Sequence, residues 1–158
     1  MKNALIFFAI VLPLLVLNQV AFDGKSDLLS AIIFSVPFIG LNLLLRKSHL
    51  HHSKSEIFIK VFKTCLTTGV FYAIWIGLYQ FILINHIETN LTEELLINND
   101  VIMKVNFPEQ AEEISGTISK LIRQPLTWVS IQLVINSFFF SIFGLILGFV
   151  FKSKVSQQ

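Results

Sequence analysis

Four long stretches of this chain lack any aspartate, glutamate, lysine or arginine: residues 4–22, 28–45, 64–85 and 126–151. They contain no histidine either. A helix needs roughly 20 apolar residues to cross a hydrocarbon core of about 30 Å, and each stretch meets that length. The absence of ionisable groups at depth argues against proton relays, voltage sensors and most ion-coupled carriers, which depend on them. It also argues against an intramembrane metalloprotease, which needs His and Glu ligands within the spans. No Ser/His pairing suits an intramembrane serine protease, and no glycine-rich phosphate loop occurs. The single cysteine, Cys65, excludes an intrachain disulfide and a multi-cysteine metal site.

What remains is hydrophobic. Of 158 residues, 54% are hydrophobic and 14% charged. The predicted fold is an all-α, four-span transmembrane helical bundle forming one integral membrane domain over residues 1–158. The loops are too fragmented for a separate soluble core. The first run is long for a cleaved leader, and residues 18–22 offer no good small-x-small site, so a retained helix is expected.

The charges sort by side. With both termini on one face, that face holds Lys2, Arg46, Lys47, Lys54, Lys60, Lys63, Lys152 and Lys154, and only one acid, Glu56. The opposite face holds Lys25, Lys104, Lys120 and Arg123 against nine acids. Short basic loops stay inside, which predicts a multi-pass protein of the cell's inner (plasma) membrane with cytoplasmic N and C termini. Arg46, Lys47, Lys54, Lys60 and Lys63 are candidate contacts for anionic lipid or an acidic partner, although setting topology is the simpler explanation for them. In residues 55–63, Ile57, Phe58, Val61 and Phe62 share a helical face, which suits a segment lying on the inner surface before span three.

Residues 86–124 form the one sizeable polar segment, on the outer side. Asn90 and Glu93 resemble a capping box opening a helix over 91–103. Pro108 and Glu109 read as a second helix start, continued by an apolar stripe of Ala111, Ile114, Ile118, Leu121 and Ile122. Two short amphipathic helices are expected, serving as a connector, a docking surface or a lid. Gly116 weakens the second.

Uncharged polar residues recur at one depth: Asn18 and Gln19 on span one, Gln80 on span three, Gln132 and Asn136 on span four. They form a candidate hydrogen-bonded cluster, either glue between helices or the lining of a small polar cavity. Gly69, Ala73 and Gly77 line one ridge of span three. Ser137, Ser141, Gly144 and Gly148 line one of span four. Such ridges let helices approach closely, here spans three and four, or a homodimer. Pro13 and Pro37 predict kinks, and Trp128 an interfacial anchor. His49, His51 and His52 read as a solvated loop rather than a metal site, so no cofactor or metal is expected.

Glu56-Ile57-Phe58 through Phe62-Lys63-Thr64, with Ile142-Phe143-Gly144-Leu145-Ile146 and the Lys152-Ser153-Lys154 end, resembles the small bacterial four-span membrane proteins of domain-of-unknown-function family 4199. The likeness covers roughly residues 46–154 and is one of layout. The triple-His group and the lower glycine content of spans one and two depart from it. The resemblance implies the same bundle and transfers no catalytic residue. The functional expectation is a non-enzymatic partner in the assembly or regulation of other membrane components. It would contact lipids and another membrane protein or a second copy, and would not bind nucleic acid. The alternative is a small transporter or channel for a neutral or weakly polar solute.

Overall fold

The computed structural model describes residues 2–22, 26–48, 54–87 and 89–155. Among the described residues the chain is helical throughout apart from short connections. The elements are α1 (Lys2–Phe22), α2 (Asp27–Ser48), α3 (Lys54–Ile82), a π-helical turn (Leu83–Ile87), α4 (Thr89–Asn106), α5 (Ala111–Ile122) and α6 (Pro125–Val155). Four of them, α1, α2, α3 with its π-turn, and α6, are long and apolar enough to cross a membrane. This is the architecture of a multi-pass helical membrane protein.

The chain forms two compact units. One holds residues 1–73 and 134–158, the other residues 74–133. In the first unit each helix buries one stripe at helical spacing, as amphipathic packing requires. The stripes are Ala4, Phe7 and Val11 of α1, Ile33, Pro37, Leu41 and Leu45 of α2, Ile57, Val61, Cys65, Thr68 and Tyr72 of α3, and Phe140, Gly144 and Leu147 of α6. Aromatic rings fill the space between α2 and α6. Phe38 meets Phe140 at 4.7 Å and Phe143 at 4.9 Å, and Phe34 meets Phe139 edge-on at 5.4 Å. These separations fall in the favourable range for ring pairs.

The other faces stay apolar and uncovered. Val20, Ile39, Leu43, Val134, Phe138 and Phe149 are each more than half exposed. A water-soluble domain rarely leaves so continuous an apolar surface open, whereas lipid tails solvate it without penalty. Pro13 and Pro37 lie inside uninterrupted helices. Each removes one backbone N–H from the helical ladder.

Three expectations about local structure are corrected. Residues 55–63 are not a separate surface helix, because α3 begins at Lys54 and continues unbroken to Ile82. The stripe read as lipid-facing packs on α6 instead: Ile57 and Val61 are fully buried and Phe58 stacks on Phe149 at 5.1 Å. At 1.5 Å per residue α3 is about 43 Å long, more than the hydrocarbon core needs. Next, α4 opens at Thr89, so Asn90 lies inside the helix rather than capping it. Finally, Pro108 starts a turn rather than α5. Gln110 N–H donates to the Phe107 carbonyl at 3.1 Å, and the first α-type bond is Ile114 N–H to Gln110 at 3.0 Å. Pro108 thus occupies the second position of a reverse turn, which its fixed φ favours.

Candidate functional site

The glycine ridges of α3 and α6 are places of close helix approach. A Cβ placed on Gly77 would stand 2.6 Å from Val129 Cα, so α3 and α6 nearly touch backbone to backbone there. On Gly69 it would stand 2.6 Å from Phe140 Cβ, on Gly144 3.0 Å from Cys65 Cβ, and on Gly148 2.7 Å from the Phe58 ring. Ala73 is fully buried, and Ser141 returns its hydroxyl to the Ser137 carbonyl at 2.6 Å. The Gly144/Gly148 ridge is therefore turned onto α3 of the same chain. Small residues are needed because a methyl group would fall well inside the carbon–carbon contact distance of roughly 3.5–4.0 Å.

The polar residues resolve into pairs. In the second unit Gln132 Nε2 donates to Gln80 Oε1 at 2.8 Å, linking α6 to α3. In the first, Asn18 Nδ2 donates to Ser30 Oγ at 3.4 Å, tying α1 to α2. Asn18 is 8% exposed, and its Oδ1 finds no donor among the described residues. Gln19 and Asn136 are half-buried in that same unit. Of the basic candidates, Lys60 and Lys63 are exposed, and Arg46 donates from Nε to Asn42 Oδ1 at 3.1 Å. The Lys47 and Lys54 side chains and His49, His51 and His52 lie outside the described residues. Among the described residues no His/Cys/Asp/Glu group is arranged to hold a metal.

The second unit adds features that single residues do not advertise. The last carbonyl of α5, on Ile122, lacks an intrahelical donor, as helix ends do. It accepts from Asn85 Nδ2 at 3.2 Å and from Trp128 Nε1 at 2.8 Å. Trp128 therefore spends its polar edge on the protein. The Ile84 carbonyl, within the π-turn, accepts from buried Thr92 Oγ1 at 2.6 Å. Between α4 and α5, Ser115 Oγ donates to Asp100 Oδ1 at 3.1 Å and Lys104 Nζ lies 2.6 Å from Asp100 Oδ2. Hydrogen bonds from Lys104 and then Ser115 hold the Asp100 carboxyl below the ordinary carboxylate range, and Asp100 in turn raises Lys104.

Two surfaces result. One is a pocket of about 350 Å³ lined by Phe81, Asn85, His86, Thr92, Glu93 and Arg123. The other is the open face of α4. Thr92, Leu96, Asn99 and Met103 turn inward, which leaves Ile97, Val101 and Val105 in a row, 64%, 56% and 76% exposed. Four residues of the expected stripe of α5 turn inward, Ala111 buried and Ile114, Ile118 and Ile122 half-buried, whereas the fifth, Leu121, is exposed.

The class these features define is a multi-pass helical membrane bundle carrying a polar helical hairpin between its last two spans. No family model matches the chain, and no curated protein or solved structure is significantly similar to it.

Proposed function

We propose that this is a non-enzymatic inner-membrane protein that assembles with, and regulates, another membrane protein through the α4–α5 hairpin. The termini are cytoplasmic and the hairpin faces outward, as the basic bias of the α2–α3 connection favours. The observation that carries the reading is the row Ile97, Val101 and Val105, an apolar face with no cover among the described residues. A helix face of that kind on a polar hairpin marks an interaction surface.

The surrounding charge favours a protein over an anionic bilayer. Between Thr89 and Arg123 the hairpin carries Glu93, Glu94, Asp100, Glu109, Glu112 and Glu113 against Lys104, Lys120 and Arg123. An anionic lipid surface repels that excess, and a partner with an apolar patch flanked by basic residues complements it. The transport alternative is less well supported, because Gln80 and Gln132 bond to each other and the α3–α6 seam is filled by Phe58, Phe140 and Val129.

A photo-crosslinking residue at Val101, in native membranes, tests this. The proposal predicts discrete protein adducts there, none from Gly116, and their loss when Ile97 and Val105 are changed to Asp. Adducts to lipid alone refute it.

A further inference from the structure

The pocket beside the π-helical turn carries two opposite charges that no ion pair among the described residues neutralises. Glu93 comes from the first turns of α4, and Arg123 directly follows the last residue of α5. Both are exposed and line the same cavity of about 350 Å³. Among the described residues the ion pair is Lys104 with Asp100, so neither Glu93 nor Arg123 is neutralised by one. His86 supplies a third polar edge, with its ring set against Phe81 at 5.6 Å. Asn85 also lines the wall, but its amide nitrogen already donates to the Phe81 and Ile122 carbonyls.

The depth of the pocket is set by the span ends around it. Phe81 and Asn85 lie at the close of the third apolar stretch, and Arg123 stands two residues before Pro125, where α6 begins. Chain leaving the hydrocarbon at these points places the cavity at the level of lipid head groups. Its volume is near the lower end of ligand pockets, about 300–1,000 Å³, which suits a head group rather than a large solute.

We propose that this pocket binds a zwitterion carrying a primary ammonium and a phosphate, the chemistry of phosphoethanolamine. The guanidinium of Arg123 matches two phosphate oxygens with its planar fork, and a His86 ring N–H reaches a third. The ammonium donates to the Glu93 carboxylate. A quaternary choline has no N–H to offer that carboxylate, and a glycerol head group has no positive charge. The site is independent of the α4 docking face, since Ile97, Val101 and Val105 are not among its lining residues.

The test uses the purified full-length chain in non-ionic detergent. It is offered phosphatidylethanolamine, phosphatidylcholine and phosphatidylglycerol of identical acyl chains, with bound lipid counted by native mass spectrometry. Phosphatidylethanolamine is retained about tenfold over phosphatidylcholine, the factor that one charge-assisted hydrogen bond supports. Glu93→Gln brings the two to parity. Arg123→Gln lowers retention of both, and Lys120→Gln changes nothing. Soluble phosphoethanolamine at millimolar concentration identifies the source: displacement of bound lipid shows a site filled from water, and failure to displace shows one filled from the bilayer. Equal retention of the three lipids by the wild-type chain overturns the proposal without any variant. Unchanged selectivity in a Glu93→Gln chain, or unchanged retention of both lipids in an Arg123→Gln chain, each of wild-type helicity, overturns it as well.

Discussion

Replacing Gly77 by alanine sets two opposing effects against each other, and the structure decides which wins. Alanine is the better helix former by about 1 kcal/mol in a helix interior. The added methyl would, however, stand 2.6 Å from Val129 Cα, 2.9 Å from Val129 N and 3.0 Å from the Trp128 carbonyl oxygen. All three are backbone atoms, so no side-chain rotation relieves the clash and α6 itself must retreat by roughly 1 Å to restore contact distance. Overpacking costs about 1–3 kcal/mol, and an immovable neighbour puts the cost at the upper end. The net expectation is destabilisation by about 1–2 kcal/mol, the overpacking loss less the propensity gain.

Other glycines calibrate the reasoning. Gly69→Ala meets Phe140 Cβ, also fixed by the backbone, and loses a similar amount. Gly148→Ala meets a Phe58 ring that can swing aside, and loses less. Gly116→Ala meets nothing within 4 Å on exposed α5, and gains about 0.5–1 kcal/mol. Equilibrium unfolding in mixed dodecyl sulfate and non-ionic micelles, followed by far-UV circular dichroism, gives the ranking. A Gly77→Ala chain as stable as the Gly116→Ala chain refutes the close approach of α3 and α6.

Other consequences are equally direct. A double-mutant cycle with Gln80→Leu and Gln132→Leu should return a coupling of about 0.6–2 kcal/mol, and unfolding midpoints that add without coupling would show that the 2.8 Å bond contributes nothing. Trp128→Phe removes one of two donors to the Ile122 carbonyl and costs about 1 kcal/mol, while adding Asn85→Ala orphans that carbonyl and should cost more than the two changes separately, read as faster hydrogen exchange in α5. Asp100, with its carboxyl held low, supports the α4–α5 pairing at and above its ordinary carboxylate pKa of about 3.9, and this support fades as pH falls through the depressed folded value. The raised Lys104 contributes below its ordinary pKa of about 10.4 and is lost as pH rises through the folded value. Carboxyl NMR titration should show Asp100 moving up in Lys104→Met.

The spans were legible because charge-free runs of helical length have few other solutions in a bilayer. The small-residue ridges were legible because Gly69, Ala73 and Gly77 repeat every four residues on one face. The Gln80–Gln132 pair could be anticipated from matching depth. The start of α3 at Lys54 was not legible. Ile57, Phe58, Val61 and Phe62 form a stripe that lipid or protein could cover, and the covering residues, Gly148 and Phe149, lie far along the chain. The position of α5 was misjudged because proline favours both the first helical turn and the second position of a reverse turn. The pocket left little trace, because His86, Glu93 and Arg123 are separated in sequence and none forms a motif. The α4–α5 hairpin and the π-turn bring them together, and their placement at the polar ends of apolar runs was the one available signal.

The account depends most on four crossings of the bilayer, with the α4–α5 hairpin on the face opposite the C-terminus. In a Cys65→Ser background, Glu112→Cys and Ser153→Cys are both exposed positions. An impermeant thiol reagent applied to intact spheroplasts should modify Glu112→Cys at once and Ser153→Cys only after lysis. Modification of both from the same side, or recovery of the chain in the soluble fraction, would contradict it.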